Sequence, residues 1–262
     1  MKSNEVFKNK KIYVFLPHQD DEIAIWPIWK DILKASEIYV FCLTNGELQN
    51  SLAGKLRYVR NKELIENLSK NGVKKENIFF LSNDLPPNDQ LLHEFFMSVI
   101  ENLQKLLERL DAPDLILTTA AEGGHPDHDV ANFLVRFFAR KFFKKTTALE
   151  FYLYSRSTRW FPFNLGRPEI ISNDTIAFKL KRRFLFQTVR AMLIYRSQRK
   201  TFYLLGPFFI TRCFFQPKIF FKKLDLQNGN FERPVNSIIL YEQRGWIKFK
   251  EIKKIINQFI EE

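Results

Sequence analysis

Short apolar segments alternate with segments of helical spacing over the first 155 residues, and this alternation constrains the fold more than any other feature. The apolar segments predict strands at residues 11–16, 38–43, 77–81, 115–118 and 149–154. The segments of helical spacing predict helices at residues 23–35, 56–71, 90–110 and 129–143. Strands that alternate with helices favour an α/β fold with a mostly parallel sheet and helices on both faces.

Two polar clusters follow predicted strands, at the positions where such sheets bind their ligands. Residues 17–22 read Pro-His-Gln-Asp-Asp-Glu, and residues 122–128 read Glu-Gly-Gly-His-Pro-Asp-His. Neither a GxGxxG sequence after the first strand nor a GxxxxGK[ST] sequence is present, so nucleotide binding has no motif support. The two clusters are therefore the candidate functional site.

Three of the four histidines of the chain, His18, His125 and His128, lie in these clusters beside carboxylates. Each cluster alone has an ordinary structural interpretation, as a helix N-terminus or as a turn that leads into a helix. Together they supply two imidazoles and a carboxylate, the usual ligand set of a hydrolytic zinc site with an open fourth position. The remaining histidine, His93, has no such neighbours and is expected to be a core or surface residue.

The two adjacent carboxylates of the first cluster could have different roles in hydrolysis, one as a metal ligand and the other as a general base. Zinc lowers the pKa of a bound water from about 15.7 towards 7, and a carboxylate that is not a ligand can accept the proton of that water. Asp20 and Asp21 cannot point the same way from an extended backbone. One of them can therefore bind the metal while the other faces the water.

The two clusters together resemble the paired signature of the PIG-L/LmbE-like deacetylases, zinc-dependent enzymes that remove N-acetyl groups from glucosamine units. Gln19 stands where the family more commonly has proline, and it replaces no ligand. Further matches are Thr44-Asn45-Gly46-Glu47, Arg60-Asn61-Lys62-Glu63, Gly72-Val73, Asp84 and Tyr195-Arg196-Ser197-Gln198. The resemblance covers roughly residues 11–200. It implies a Rossmann-like, LmbE-like α/β fold that is followed by a basic, Phe-rich C-terminal elaboration.

The resemblance also implies a role for each matching site residue. The implied ligands of Zn²⁺, or of another divalent metal, are His18, Asp21 and His128. The implied catalytic residues are Asp20 as general base, His125 as oxyanion stabiliser or proton donor to the amine, and Asp127 as the carboxylate that orients His125. The implied substrate contacts are Arg60 and Asp84.

Both substrate contacts also have plain structural interpretations. Arg60 could pair with Glu63 on the same helix face, because residues three apart are neighbours on a helix. Asp84 could be a turn residue before Pro86 and Pro87. The sequence leaves these alternatives open.

The positive charge of the chain is concentrated in one stretch. Residues 175–224 contain no Asp or Glu and twelve Lys or Arg, which equals the entire net charge of +12. Ten phenylalanines are interleaved with these cations. Such a stretch can bind an anionic membrane surface or nucleic acid, or it can be a basic face over an ordinary core. A phosphate on the substrate would need only one or two of the cations.

We read the chain as one domain over residues 1–262, with a core at about 11–160 and an elaboration at about 161–262. Two isolated cysteines, no visible secretory signal and no long apolar segment favour a cytoplasmic protein, with peripheral contact at the inner face of the membrane as a further expectation. The expected activity is deacetylation of an N-acetylated amino sugar in a glycoconjugate or lipid-linked sugar. The alternatives are an amidase that acts on another sugar conjugate, a catalytically dead carbohydrate-binding protein, and a nucleic-acid-binding protein. Nucleic-acid binding is the less favoured of these because it leaves the histidine clusters unexplained.

Overall fold

The structure is a computed structural model that describes residues 5–35, 37–47, 55–82, 87–155, 164–227, 229–234 and 239–260. The strands are β1 Lys11–Leu16, β2 Glu37–Cys42, β3 Ile78–Phe80, β4 Leu115–Thr119, β5 Thr147–Phe151, β6 Tyr154–Ser155, β7 Asn164–Leu165, β8 Thr175–Lys179 and β9 Lys218–Lys223. The α-helices are α1 Trp29–Ile32, α2 Lys55–Lys70, α3 Phe96–Leu107, α4 Pro126–Phe142, α5 Arg183–Ile194, α6 Arg199–Phe215, α7 Leu240–Gln243 and α8 Phe249–Ile260.

Within the described residues, seven strands form one sheet in the order β3-β2-β1-β4-β5-β9-β8. The first five are parallel to one another, whereas β9 runs antiparallel to both β5 and β8. This mostly parallel sheet confirms the predicted α/β class. The chain leaves β1 towards β2 on one side and later returns to β4 on the other, so the order reverses at β1. Sheets of this kind bind ligands at such a reversal, beyond the carboxyl ends of the strands.

The core lies on both faces of the sheet because successive strand side chains point to opposite sides. In β1, Ile12 and Val14 belong to one buried cluster, and Tyr13 and Phe15 belong to the other. Buried residues of α2, α5 and α6 pack in the first cluster. Buried residues of α3, α4 and α8 pack in the second. The helices therefore cover both faces, as the sequence pattern predicts.

The predicted helix at residues 23–35 is wrong in type over most of its length. A 3₁₀ helix spans Asp21–Ile28, and only the four residues of α1 continue it as α-helix. Pro27 lies inside the 3₁₀ helix and cannot donate the backbone hydrogen bond that an α-helix needs there. All eight residues of the 3₁₀ helix are buried, so tertiary packing holds a segment whose own hydrogen bonding is weak.

The C-terminal elaboration is built from helices and strands. The spacing of residues 179–200 also allows one amphipathic helix, but this segment contains α5, a 3₁₀ turn over Arg196–Gln198, and the start of α6. Residues 202–221 divide into the rest of α6 and most of β9. Because β8 and β9 extend the same sheet, this part of the elaboration is continuous with the core sheet. No helix in the described parts of the chain is long and apolar enough to cross a membrane.

Candidate active site

The two polar clusters meet at the carboxyl ends of β1 and β4, which are paired neighbours in the sheet. His18 follows β1, while His125 caps the N-terminus of α4 and His128 lies in its first turn. Ring nitrogens of the three histidines lie within 4.8 Å of one another. Strand order thus brings together residues that are more than a hundred positions apart in the sequence.

The three predicted metal ligands are adjacent. Oδ1 of Asp21 lies 3.3 Å from Nε2 of His128, and Oδ2 of Asp21 lies 3.3 Å from Nδ1 of His18. Asp21 also accepts a hydrogen bond of 2.8 Å from the backbone N–H of His18. All three side chains are buried. Two imidazole nitrogens and a carboxylate therefore face one another away from bulk solvent.

The other ring nitrogen of His18, Nε2, also lies close to carboxylates. Nε2 of His18 lies 3.0 Å from Oδ2 of Asp127 and 3.4 Å from Oδ1 of Asp89. Burial opposes protonation of this imidazole, but the three neighbouring carboxylates outweigh burial and raise the pKa of His18 well above its usual value. Burial would likewise raise the pKa of Asp21, yet His128 and His18 hold it below its usual range. The buried carboxylates therefore favour a positively charged group at this site.

His125 is oriented by two contacts. Its Nδ1 accepts a hydrogen bond of 3.3 Å from the backbone N–H of Asp127, which leaves Nε2 as the protonated nitrogen of the neutral ring. That Nε2 lies 3.1 Å from Oδ1 of Asp89. Burial is the main reason that the pKa of His125 is lowered. The ring is thus positioned as a neutral N–H donor.

The carboxylate of Asp127 contacts a different imidazole from the one expected. It lies 3.0 Å from His18 but 4.0 Å from Nδ1 of His125. It also accepts backbone hydrogen bonds from Gln90 at 2.7 Å and Leu92 at 3.0 Å. Gln90 has a φ of 74°, a strained conformation for a residue other than glycine. Asp127 therefore anchors the loop that carries Asp89, and its backbone rather than its carboxylate contacts His125 most closely.

Arg60 reaches the site from α2 and pairs with Asp20. Its Nη2 donates a hydrogen bond of 2.7 Å to Oδ1 of Asp20, and its Nη1 donates one of 2.7 Å to the carbonyl of Gly46. Glu63 instead accepts hydrogen bonds from the backbone N–H and hydroxyl of Ser197. The structure thus shows an ion pair between Arg60 and Asp20, and none between Arg60 and Glu63.

Gln19, the departure from the family pattern, is fully buried beneath this pair. Its amide donates to the carbonyl of Asn45 at 3.0 Å and to Oδ1 of Asn61 at 2.8 Å. Gly46 has a φ of +70°, and a Cβ there would lie 2.3 Å from Oε1 of Gln19 and 2.9 Å from Arg60. Only glycine fits this position. The segment after β2 therefore packs tightly against Gln19 and Arg60.

Buried acidic residues brace the segments that carry the site. Glu22 accepts hydrogen bonds from the hydroxyl of Tyr195 and from the amide of Asn67. Burial raises the pKa of Glu22 to about 8. Glu122 accepts from the backbone N–H groups of Leu153 and Tyr154. These contacts tie the first and second polar clusters to α2, to the turn after α5 and to the segment after β5.

Loss of the Tyr195 hydroxyl is expected to destabilise the protein. Tyr195→Phe removes one of the two donors to buried Glu22, and loss of such a hydrogen bond costs about 0.5–1.5 kcal/mol in the free energy of unfolding. Urea unfolding measures the change. Tyr203→Phe is the matched control, because Tyr203 is 72 % exposed on α6. Equal stability of Tyr195→Phe and the wild type would contradict the bracing role.

The site opens into a cavity of about 370 Å³. It is lined by His18, Asp20, Asp21, Arg60, Asp89, Gly124, His125, His128, Tyr154, Gln198, Lys200, Thr201, Leu204, Leu205, Arg244 and Trp246. A second, apolar recess of about 60 Å³ adjoins it and shares Asp20, Asp21 and Tyr154 in its wall. Residues of both polar clusters therefore line a pocket large enough for a small organic substrate.

Sequence reasoning missed several residues of this cavity. Asp89 lies in the loop after β3, where the resemblance pointed to Asp84, which lies outside the described residues. Trp246 follows α7, and its ring centroid is 5.4 Å from that of His125. The position of Asp89 before α3 was a usable signal, whereas nothing in the sequence connects Trp246 with the site. His93 is buried apart from the metal-ligand triad, in agreement with its expected core or surface location.

The donor set fits a divalent metal. Two groupings of potential ligands occur among the described residues, one of His18, His125 and His128 and one of His18, Asp89, His125 and Asp127. Asp21 contacts two of these histidines, His18 and His128. Imidazoles that converge with several buried carboxylates provide both the ligand types and the charge that such a cation needs. The fold and this site together define a metal-dependent hydrolase built on an α/β sheet.

A family model described as "PIG-L: GlcNAc-PI de-N-acetylase" matches residues 13–139. This region contains both polar clusters and all of the described metal-ligand candidates. The match confirms the resemblance over this region, which is similar to the PIG-L family of N-deacetylases. No curated protein sequence gives a significant match to the chain.

Several solved structures of deacetylases have a similar fold. A triple mutant of the deacetylase of teicoplanin biosynthesis has a TM-score of 0.61 at 17 % identity, over 81 % of this chain and 97 % of that one. The N,N'-diacetylchitobiose deacetylase of Pyrococcus horikoshii has a TM-score of 0.57 at 19 % identity, over 83 % and 85 %. A zinc-inhibited form of the teicoplanin deacetylase has a TM-score of 0.55 at 18 % identity, over 82 % and 99 %. At these identities the likeness establishes the fold.

Proposed function

We propose that the protein hydrolyses the N-acetyl group of an N-acetylated amino sugar of the GlcNAc type, carried in a glycoconjugate or on a lipid, with zinc as the metal. The observation that carries the proposal is the separation of the two adjacent carboxylates. Asp21 faces His18 and His128, whereas Asp20 faces Arg60, and both carboxylates line the same cavity. This separation supports a role for Asp21 as a metal ligand and a role for Asp20 in proton transfer.

His18, Asp21 and His128 would hold the metal. When bound, it would polarise the acetyl carbonyl and make water more acidic. Asp127, 3.0 Å from Nε2 of His18, fixes the orientation of that imidazole so that Nδ1 faces Asp21. A carboxylate in this position also increases the basicity of a histidine ligand.

Asp20 accepts the proton of the attacking water. Its ion pair with Arg60, at 2.7 Å, holds the carboxylate in one orientation. The Asp20 side chain is 14 % exposed on the cavity wall, so water and substrate can reach it. Arg60 is itself fixed by its bond to Gly46 and is thereby a positioning residue for the base.

The proton that Asp20 accepts from water would pass to the departing amine, while His125, as a neutral ring, stabilises the oxyanion with the proton of its Nε2. The backbone N–H of Asp127 selects the tautomer that carries this proton. Asp89 lies 3.1 Å from the same nitrogen and lines the cavity, where it can accept a hydrogen bond from a sugar hydroxyl. The amine leaves protonated, and acetate is the second product.

The shape of the cavity agrees with an N-acetyl sugar. The apolar recess beside Asp20 and Asp21 is lined mainly by aliphatic and aromatic side chains, which suits the methyl group of an acetyl unit. Trp246 also lines the cavity and supplies an exposed aromatic surface for the sugar. The Pyrococcus horikoshii neighbour is named for a diacetylated chitobiose, which is an amide of the same class.

The test is mass spectrometry of N-acetylhexosamine conjugates after incubation with the zinc-loaded enzyme. The expected result is loss of an acetyl group and release of acetate from at least one conjugate. The small recess further predicts that N-acetyl substrates react faster than the matching N-butyryl substrates. Absence of acetyl loss across nucleotide-linked, lipid-linked and oligosaccharide substrates would overturn the proposal.

A further inference from the structure

The outer face of the α5–α6 hairpin exposes an unusual amount of apolar surface. Of the thirteen large apolar side chains that are exposed among the described residues, seven belong to these two helices. They are Phe186, Leu193, Tyr203, Leu204, Phe208, Phe214 and Phe215. Large contiguous apolar patches on a protein surface mark interaction sites rather than ordinary exposure.

Helix α6 has apolar residues on all of its sides. Helices of this type are normally buried in a core or in contact with a membrane. Only Gly206, Phe209 and Cys213 of α6 are buried. Between α5 and α6 lies an apolar groove of about 280 Å³, whose walls include Met192, Leu193, Phe202, Tyr203 and Ile210. The rest of the described chain therefore leaves one side of the hairpin uncovered.

Cations are interleaved with this apolar surface. Arg182 lies 4.9 Å from the ring centroid of Phe214, and Arg190 lies 4.4 Å from that of Phe186. The surrounding stretch, residues 175–224, contains twelve basic residues and no acidic one. The uncovered face is thus both apolar and positively charged.

We propose that this face docks on an anionic lipid bilayer. Lys and Arg are attracted to anionic headgroups, while exposed aromatic and aliphatic side chains enter the boundary between headgroups and acyl chains. A second copy of the chain would place like charges against one another. Nucleic acid would use the cations and aromatic rings, but it would leave aliphatic Leu193 and Leu204 without a role.

Docking would also place the active-site cavity at the lipid surface. Lys200, Thr201 and Leu204 of α6 line the cavity, and Leu204 belongs to the exposed apolar face as well. A sugar carried on a lipid could then enter the cavity without leaving the membrane. This consequence rests on the proposed deacetylation, whereas the docking itself is independent of it.

Vesicle co-sedimentation of the full chain tests the docking. The vesicles are phosphatidylcholine alone, and phosphatidylcholine with an equal amount of phosphatidylglycerol. Binding is expected only to the anionic vesicles, and it should decrease as salt increases. Arg183→Glu/Arg190→Glu removes charge from the hairpin, and Leu193→Ser/Tyr203→Ser removes apolar surface. Each double variant should weaken partitioning by at least about tenfold.

The matched control is Lys141→Glu/Phe142→Ser on α4, which packs on the opposite face of the sheet and also places a cation over an exposed ring. It should bind vesicles as the wild type does. Circular dichroism of each variant verifies folding, and either hairpin variant alone suffices for the test. Absence of binding at low salt, equal binding to neutral vesicles, or equal loss in the control would overturn the proposal. The proposal would also be overturned if the wild type bound single-stranded DNA or dimerised instead of binding vesicles, and if the hairpin variants abolished that interaction.

Discussion

Asp20→Asn is expected to lower turnover by about 10²–10⁴-fold while the metal content stays at the wild-type level. The amide has nearly the same shape as the carboxylate, but it cannot accept a proton from water. Asp20 contacts Arg60 rather than the histidines, so its substitution leaves the contacts of Asp21 with His18 and His128 in place. Acetate release and metal analysis of the same preparation measure the two properties together.

The control for this variant is Asp111→Asn. Asp111 is a surface residue that pairs with Lys11 at the opposite end of β1 from the site, and its side chain is 90 % exposed. Its activity and metal content should equal those of the wild type. Loss of metal from Asp20→Asn would instead make Asp20 a ligand. Full activity would remove Asp20 from the role of general base.

His128→Ala is expected to lose most of the bound metal. Substitution of a residue that hydrogen-bonds to a metal ligand weakens metal binding by about 10–100-fold. Loss of the ligand itself should have a larger effect. In contrast, His125→Ala should retain the metal and lose rate, because Asp21 contacts His18 and His128 but not His125 in the structure. Metal analysis of the purified wild type and both variants, after dialysis against a weak chelator, distinguishes the two roles.

This comparison is informative because the three imidazoles all lie close to one another. Their ring nitrogens are all within 4.8 Å, so proximity alone does not separate a ligand from a hydrogen-bond donor to the oxyanion. His93→Gln is the control, since His93 lies outside both clusters and should not affect metal content. Equal metal content in His128→Ala and the wild type would remove His128 from the metal site. Metal loss in His125→Ala would make His125 a ligand.

The ion pair of Arg60 shows why helix spacing alone could not identify its acidic partner. On α2, Glu63 is three residues away and is a local candidate for an ion pair. The structure instead turns Arg60 towards Asp20 and Gly46, while Glu63 bonds to Ser197. Both groups are buried, so tertiary neighbours rather than helix spacing decide which charges meet. Burial opposes the charged form of Arg60, but Asp20 and Asp89 outweigh it and raise its pKa.

Strand positions were predictable because each depends on a local run of apolar residues. The predicted bounds of the first strand agree with β1, and the other parallel strands differ by only a few residues. The predicted helix at 90–110 begins later, at Phe96, because residues 87–92 form the loop that is anchored to Asp127. That anchor joins residues more than thirty positions apart, and local periodicity contains no information about it.

The sequence by itself determined the α/β class and the position of both clusters after strands, because alternating strands and helices imply a parallel sheet whose strands end at one edge. Only the tertiary structure decided which atoms face one another. The hydrogen bond between His18 and Asp127 spans 109 positions, and it turns this carboxylate away from the nearby His125. Asp89 and Trp246 likewise enter the cavity through the packing of a loop and of the C-terminal segment. The direction of a buried side chain depends on all of its neighbours at once, and those neighbours are assembled only when the chain folds.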